Sequence, residues 1–389
     1  MKILPLNYNF FYGAVIGLFS WGWQHLGLTV LSLAVFLQYF YSKKRSYFFV
    51  FVFGYYLAAT RGMLFGANVY FDGMAYGFAV WIADALIVSG AYILFWSKSR
   101  KVIGFILTII LLVIPPVGFI EWVNPIFTAG IFFPGTGFVG LIFLFICVIF
   151  VGKCVSHVAG MSVLIGIMLF LIIFINNNGD IYKAIEPINT NFGQLYKDET
   201  DFIESYKTQN KFLKLVKNTN QSIVVLPETA LGWWNNNNML IWSNLPDDKI
   251  VIAGANMLSN TIKDKSENVI LKVTNKGYNV IYRQRLPIPI SMWKPWSTVG
   301  AAAHYFDKDS AETFSINDIK AVAFLCYEQL LPILYIESLQ KKPDVMIGIS
   351  NLWWNIESSG ENIQRAKMNL MSRLYNVPFI FAANRRVIN

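Results

Sequence analysis

The stretch Ile319–Glu328 reads IKAVAFLCYE and decides the fold class of this 389-residue chain. Six of its first seven residues are apolar, which is typical of a short strand buried in a sheet. Cys326 closes this strand, and a helical pattern follows from Glu328 to Leu339. A strand that leads directly into a helix is the repeating unit of layered α/β folds.

The whole C-terminal part of the chain alternates predicted strands and helices in the same way. Thr274–Gly277 separates two of the strands and has the glycine-containing sequence of a hairpin turn. The other predicted strands and helices are Ser222–Leu226, Lys249–Ala255, Asn268–Val273, Tyr278–Arg285, Val345–Ile349 and Phe379–Ala383, with helices at Glu199–Lys217 and Asn362–Tyr375. We therefore predict an α/β domain whose reactive side chains lie at the carboxyl ends of strands.

Charged residues divide the chain into two parts at Ile175. The first 175 residues contain 9 Lys or Arg and 3 Asp or Glu, whereas the remainder contains 23 and 20. The net charge of +9 is thus +6 in the first part and +3 in the second, which has no basic run. These numbers predict a transmembrane domain at 1–175 and a globular domain at 176–389, and they give no reason to expect a nucleic-acid partner.

The first part contains seven apolar stretches that approach the roughly 20 residues needed to cross a bilayer. They are Phe10–Trp23, Leu26–Tyr41, Tyr47–Leu64, Ala75–Trp96, Val102–Trp122, Ile126–Val151 and Val155–Ile175, of which the first two would also fit one re-entrant pair. Three Lys or Arg residues follow each of the second and fourth stretches, Lys153 follows the sixth, and Lys2 precedes the first. Because cytoplasmic loops are rich in these residues, seven crossings would place residues 176–389 in the periplasm of a bacterium, anchored at its inner membrane.

Arg61 and Asp84 are ionisable side chains within predicted spans. At about 1.5 Å per helical residue, both fall at a similar depth in the outer half of the bilayer. A structural ion pair between neighbouring helices and a site that faces a lipid head group are the two interpretations.

Three polar motifs follow predicted strands of the globular part: Pro227–Ala230, Cys326–Glu328 and Ser350–Trp354. Cys326 is the one thiol of this part, and the amides at the start of a helix would favour its thiolate. Inert packing in an apolar strand is the alternative. If Cys326 is a nucleophile, its general base would be either His304 or the carboxyl of Glu228. Burial at the end of a strand would partly desolvate that carboxyl.

The order and setting of these motifs resemble the nitrilase, or carbon-nitrogen hydrolase, superfamily. The resemblance is carried by Pro227–Ala230, Tyr282 with Pro289, Leu325–Glu328, and Ser350-Asn351 with Trp354. With membrane spans in front, the chain looks like the apolipoprotein N-acyltransferases, to which Gln364–Met368 and Ala382–Asn384 are also similar. The resemblance implies a polytopic α-helical membrane domain followed by an α-β-β-α sandwich that transfers an acyl group through a cysteine thioester.

The resemblance also assigns roles to individual residues. Glu228 would be the general base, Cys326 the nucleophile and Glu328 a supporting acid. The lysine with which the family stabilises the oxyanion falls on Gln284. Gln284 can donate a hydrogen bond but supplies no positive charge, and losing such an electrostatic contact costs on the order of 3 kcal/mol.

Two nearby cations are candidates to replace the lysine. Lys294 lies beyond the strand and ranks first, because a regular pleat would point Arg285 to the face opposite Gln284. A surface position for both cations is the alternative.

Departures from the acyltransferase pattern point to another branch. Ile290–Met292 replaces the Phe-Gly-Glu of the acyltransferases, so a loop glutamate is missing. Tyr282–Pro289 together with Ser291–Trp293 is instead similar to the TraB-type conjugal-transfer proteins, a nitrilase-like branch.

Two functions therefore remain open. The first is a membrane-bound amidase or acyltransferase that acts on a membrane lipid or an acylated peptide. The second is a catalytically silent assembly or maturation factor that contacts proteins of the conjugation apparatus. Because the sequence contains neither a metal-ligand cluster nor a phosphate-binding glycine loop, we infer no metal and no cofactor.

Overall fold

A computed structural model describes residues 6–71, 73–175, 182–196, 201–260, 262–307, 312–355 and 359–387. These residues divide into two compact units. The first comprises the described residues within 1–179, with Leu330–Ile336 and Asn355–Asn376 added to them. The second comprises the described residues within 180–329, with Glu337–Trp354 and the residues from Val377 onward. Lys2, which is predicted to be cytoplasmic, lies outside the described residues.

Helices build the first unit. They are α1 (Leu6–Ser20), α2 (Leu33–Tyr41), α3 (Arg45–Ala59), α4 (Arg61–Phe71), α5 (Met74–Leu94), α6 (Lys101–Val113), α7 (Ala129–Phe132), α8 (Phe138–Cys154) and α9 (His157–Phe174). By length and composition, α5 and α9 can each cross a bilayer, and α3 with part of α4 is a third candidate, bent by 53°. Seven crossings and their orientation stay predictions.

Breaks in the helices interrupt several of the predicted spans, and in the one predicted at Val102–Trp122 the helix α6 ends at Val113. The span predicted at Tyr47–Leu64 is divided at Thr60, whose hydroxyl donates a hydrogen bond to the carbonyl of Tyr56. Such back-bonding by a threonine often accompanies a bend. In the span predicted at Ile126–Val151, Gly135 and Gly137 have φ angles of +74° and +58°, so the chain turns there between α7 and α8.

Among the described residues, Arg61 and Asp84 do not form an ion pair with each other. The guanidinium of Arg61 donates to the backbone carbonyls of Trp21 and Ala58 instead. Asp84 is buried, and one of its carboxylate oxygens has no hydrogen-bond partner among the described residues. The ion-pair interpretation is thus not supported.

Helix α13 (Ser359–Tyr375) belongs to the first unit, although the sequence placed it in the globular domain. Its Lys367 is fully buried and donates hydrogen bonds to the backbone carbonyls of Trp122 and Leu330. The ammonium also lies 4.4 Å from the ring centre of Phe127. Because a buried ammonium needs carbonyls or aromatic faces in place of water, these contacts fix α13 within the first unit.

Two β-sheets form the centre of the second unit. One has the strand order β1 (Ile185–Pro187), β2 (Ile223–Val225), β3 (Ile250–Leu258), β4 (Lys265–Thr274) and β5 (Gly277–Arg283), with β6 (Gly300–Ala301) beside β4. The other has the order β10 (Phe379–Arg385), β9 (Val345–Leu352), β8 (Ile319–Leu325) and β7 (Phe314–Ile316). Pairing is parallel among β1, β2 and β3 and among β8, β9 and β10.

The alternation of side chains along the strands produces two apolar layers. Val225 and Ile252 of one sheet pack with Ala323 and Ile347 of the other in a core between the sheets. On the outer face of the first sheet, Val224 lies in a second core together with residues of α10 (Phe202–Lys217) and α11 (Asn236–Trp242). The described part of this unit is an α-β-β stack. The second helical layer of the predicted α-β-β-α sandwich is not part of it, because Leu330–Ile336 and Asn355–Asn376 belong to the first unit.

Most predicted elements of the globular part occur in the structure. The strand predicted at Ile319–Leu325 has the same bounds as β8, and the predicted hairpin is formed by β4 and β5. Helix α10 begins after Asp201, whose carboxylate caps the first turn. The short elements β1, β6, β7 and α11 were missed because they contain too few residues to show a period.

Candidate active site

The ends of three strands bring Glu228, Cys326 and Asn351 together. Glu228 follows β2, Cys326 follows β8, and Asn351 lies near the end of β9. The thiol of Cys326 is hydrogen-bonded to the carboxyl of Glu228. The backbone N–H of Asn351 donates to Oε2 of the same carboxyl at 2.9 Å. Residues about a hundred positions apart in the chain thus share one site within the second unit.

Glu228 is held in an apolar position that changes its acidity. Its side chain is buried, and burial raises its pKa to about 7, with the nearby charge of Glu328 adding to the rise. The glycine at position 254 in β3 allows the backbone of Glu228 to pack close to this strand. A Cβ atom at Gly254 would lie 2.6 Å from the Cα of Glu228. A carboxyl with a pKa near 7 is suited to exchange protons with a thiol.

Cys326 occupies a strained backbone conformation. Its φ angle is +51°, in the left-handed region that costs a residue with a Cβ atom roughly 1–2 kcal/mol. It begins a 3₁₀ turn, Cys326–Leu330, directly after β8. The preceding residue, Leu325, is held on both sides: its N–H donates to Glu328, and its carbonyl accepts from Gln284.

Glu328 has all its acceptor positions engaged. Oε1 accepts from the backbone N–H groups of Arg285 (2.6 Å) and Leu286 (3.1 Å). Oε2 accepts from the N–H of Leu325 and from the hydroxyl of Tyr282, both at 2.7 Å. A carboxylate with four donors is anchored rather than mobile, so this geometry supports a structural role more directly than proton transfer.

Gln284 is buried beside the strand that leads to the nucleophile. Its Nε2 donates to the carbonyl of Leu325 at 3.2 Å, and its Oε1 accepts from the side chain of Asn268 at 2.9 Å. One of its two amide hydrogens is therefore used by the backbone. The side chain of Gln284 therefore supplies a neutral donor beside Leu325.

The structure does not bring Lys294 to this cluster. Lys294 is exposed, and its ammonium forms no hydrogen bond or ion pair with Glu228, Cys326 or Gln284. The electrostatic replacement predicted for the family lysine thus has no structural support at this residue.

The structure contradicts the alternative that Arg285 is a surface cation. The residue is fully buried, because β5 ends at Arg283 and the regular pleat ends with it. The backbone N–H of Gln284 still donates to the neighbouring strand, at Asn268, whereas that of Arg285 turns to Glu328. The strand predicted from the sequence extends to Arg285, whereas β5 ends at Arg283.

His304 is engaged with carboxylates elsewhere. Its Nδ1 is 2.6 Å from Asp307, and its Nε2 is 3.5 Å from Glu267. The described contacts therefore join Cys326 to a carboxyl rather than to an imidazole. In the described part of the chain, no group of three or more His, Cys, Asp or Glu side chains could hold a metal ion.

Two known proteins are similar to this chain over most of its length. The probable conjugal transfer protein TraB of Sinorhizobium fredii (strain NBRC 101917 / NGR234) is 27% identical over 352 residues, which cover 85% of this chain and 86% of that protein. The conjugal transfer protein TraB of Agrobacterium fabrum (strain C58 / ATCC 33970) is 26% identical over 361 residues, covering 85% and 82%. No family model matches the chain.

Solved structures similar to the chain include a nitrilase-superfamily protein and a carbon-nitrogen hydrolase. Nit3 of Saccharomyces cerevisiae is 15% identical, with a TM-score of 0.38 and coverage of 51% of this chain and 74% of Nit3. A carbon-nitrogen hydrolase of Helicobacter pylori G27 is 17% identical, with a TM-score of 0.35 and coverage of 52% and 72%. The two facing sheets described above, rather than these scores, carry the fold assignment.

The predicted resemblance is thereby confirmed: this chain is similar to the TraB-type conjugal transfer proteins along most of its length, and its second unit has a nitrilase-like α/β fold.

Proposed function

We propose that this protein is a membrane-bound amidase or acyltransferase that works through a thioester on Cys326. The observation that carries the proposal is the hydrogen bond between the Cys326 thiol and a Glu228 carboxyl whose pKa burial raises to about 7. A thiol paired with a base of that strength is the arrangement required for nucleophilic acyl transfer.

The chemical steps follow from this pair. Glu228 removes the proton from the thiol, and the sulfur attacks the carbonyl carbon of an amide or ester. Glu228 then returns that proton to the leaving amine or alcohol, which leaves a thioester on Cys326. Water or an amine acceptor attacks the thioester, Glu228 takes the acceptor's proton, and the proton passes to the sulfur as the acyl group departs.

Gln284 and Glu328 have supporting parts in this scheme. The free amide hydrogen of Gln284 would contribute a neutral donor to the oxyanion of each tetrahedral intermediate. Glu328 keeps the backbone before Cys326 in place through the N–H of Leu325. The predicted role of Glu328 as an acid becomes, in this proposal, a positioning role.

The proposed setting is the periplasmic face of the inner membrane. Two candidate spans in the first unit and the distribution of Lys and Arg support it. The substrate would be a membrane lipid or an acylated peptide. Because both similar proteins are named for conjugal transfer, we place the reaction in the service of that process.

The decisive experiment compares cysteine variants of the full chain. Cys326→Ala should abolish plasmid transfer at an unchanged protein level, and wild-type protein should carry an acyl adduct on Cys326 that mass spectrometry detects. Cys147→Ala is the matched control, because Cys147 belongs to α8 of the first unit, and it should transfer normally. Full transfer by Cys326→Ala would overturn the proposed enzyme.

A silent assembly factor is the second candidate, and Gln284 favours it. A neutral amide stands where the family has a lysine, and one of its hydrogens is bound to the Leu325 carbonyl. Under this alternative, Cys326→Ala would support transfer while deletion of the protein would not. A strain without its lipoprotein N-acyltransferase should not be complemented under either candidate.

A further inference from the structure

Arg285 is a charged residue of the second unit to which the reaction scheme gives no role. Its side chain is fully enclosed, with 0% relative exposure, whereas the side chain of Arg283 two residues earlier is 46% exposed. An arginine is almost never buried completely unless several groups satisfy its donors. The position of these partners therefore indicates what the guanidinium does.

The guanidinium contacts the site and the following helix. Nε donates to the hydroxyl of Tyr282 at 3.2 Å. The two terminal nitrogens donate to Ser338 at 2.9 Å and to Glu337 at 3.5 Å, and both acceptors belong to α12 (Pro332–Leu339). The guanidinium carbon lies 6.0 Å from the ring centre of Phe324 in β8.

These contacts lead to the nucleophile in three steps. The hydroxyl of Tyr282 accepts from Arg285 and donates to Glu328. Glu328 accepts the backbone N–H of Leu325, which directly precedes the strained residue Cys326. The backbone N–H of Arg285 reaches Glu328 as well, so this one residue holds the carboxylate by two routes.

We infer that Arg285 is a positioning residue for the site: through Tyr282 and Glu328 it keeps the strained turn at Cys326 in its reactive geometry and offsets the negative charge of Glu328. This inference rests on the proposed function. The guanidinium is directed to Tyr282, Ser338 and Glu337, so it acts through other groups rather than on the substrate. Its charge therefore does not substitute for a lysine at Gln284.

Removing this charge has a predictable electrostatic consequence. Glu228 faces Cys326, Glu328 and the N–H of Asn351, and Arg285 faces Tyr282, Tyr305, Glu328 and Glu337. Burial raises the pKa of Glu328 and Arg285 lowers it. Without the guanidinium, the site loses the positive charge that favours an ionised Glu228 and a thiolate at Cys326. Both would then ionise at a higher pH.

Alkylation of Cys326 by iodoacetamide, followed across pH by mass spectrometry of the full chain, measures this effect. Arg285→Gln should slow alkylation at pH 8 by about tenfold, equal to about 1.4 kcal/mol, and move its midpoint to higher pH. Arg285→Lys should recover much of the rate, because it restores the charge. Arg283→Gln, the matched control from the same strand end, should stay within twofold of wild type.

A folded Arg285→Gln protein with the wild-type rate and midpoint would overturn the inference. If that variant does not fold, Tyr282→Phe provides the second test, since it removes the linking hydroxyl and keeps the ring. Tyr282→Phe should shift the midpoint in the same direction, and an unchanged midpoint would overturn the inference equally. Alkylation requires no natural substrate, so absence of an acyl adduct on wild-type Cys326 would contradict the enzyme while leaving this result interpretable.

Discussion

Glu228 and Glu328 lie at the ends of two strands of the same unit, and their surroundings differ. The carboxylate of Glu328 accepts three backbone N–H groups and the Tyr282 hydroxyl, with Arg285 nearby. The carboxyl of Glu228 receives one backbone N–H and contacts the Cys326 thiol. Burial raises the pKa of both carboxyls, so the two differ in the number of donors that hold them and in which of them contacts the thiol.

The largest effect should come from disturbing the anchored carboxylate. Glu328→Gln presents an NH₂ group to backbone donors and leaves Arg285 without a buried counter-charge, which should cost about 3–5 kcal/mol. Hydrogen exchange of the β8 amides in the full chain measures the loss. Glu337→Gln is the control, because Glu337 faces the same guanidinium but its side chain is 34% exposed. Equal losses of stability in Glu328→Gln and Glu337→Gln would contradict the conclusion that Glu328 is the carboxylate that anchors this network.

The ionisation of Glu228 should make the stability of the protein depend on pH. The carboxyl has a folded-state pKa of about 7, above the ordinary value of 4.5, so it favours folding at low pH and this contribution is lost as the pH rises through about 7. Glu228→Gln should therefore gain stability relative to wild type between pH 4 and pH 8.5, by roughly 3 kcal/mol.

Hydrogen exchange of the β2 amides at the two pH values measures the gain for Glu228→Gln. If the stability of wild type and of Glu228→Gln depended on pH in the same way, Glu228 would ionise near its ordinary pKa, which contradicts the prediction. The same variant should also alkylate at Cys326 more slowly than wild type at neutral pH, because it lacks the base.

The smallest effect is expected at Arg283. Its ion pair with Glu267, at 3.0 Å, involves a guanidinium side chain that is 46% exposed. Exposed pairs of this kind contribute about 0.2–1 kcal/mol. Arg283→Gln should change the exchange of the β5 amides by no more than that, and a loss comparable to that of Glu328→Gln would place Arg283 in the buried network.

Local sequence patterns predicted much of the second unit and of its site. A continuous apolar run fixed the bounds of β8, and Thr274–Gly277 identified the hairpin. The sequence placed Glu228 and Cys326 at the carboxyl ends of strands, where reactive side chains of α/β folds lie, but it did not show that β2 and β8 belong to two different sheets. The path of the backbone at Arg285 was not predictable, since it depends on where β5 ends against Glu328.

Periodicity and charge also predicted the apolar character of the first unit but not where its helices break. The bend at Thr60 and the membership of α13 in that unit follow from contacts with residues distant in sequence, such as those of Lys367 with Trp122 and Leu330. Hydropathy reports the composition of a segment, and it contains no information about which distant carbonyl will accept a hydrogen bond.

The sequence by itself determined most strand and helix types of the second unit and the polar residues at the strand ends, because these depend on neighbours a few positions apart. Only the tertiary structure decided which carboxyl is anchored and which can accept a proton, because donors from β5, β8 and β9 surround the two residues. It also decided that Arg285 is buried and Lys294 exposed. Burial and charge at a site are properties of distant segments packed together, and no local pattern contains them.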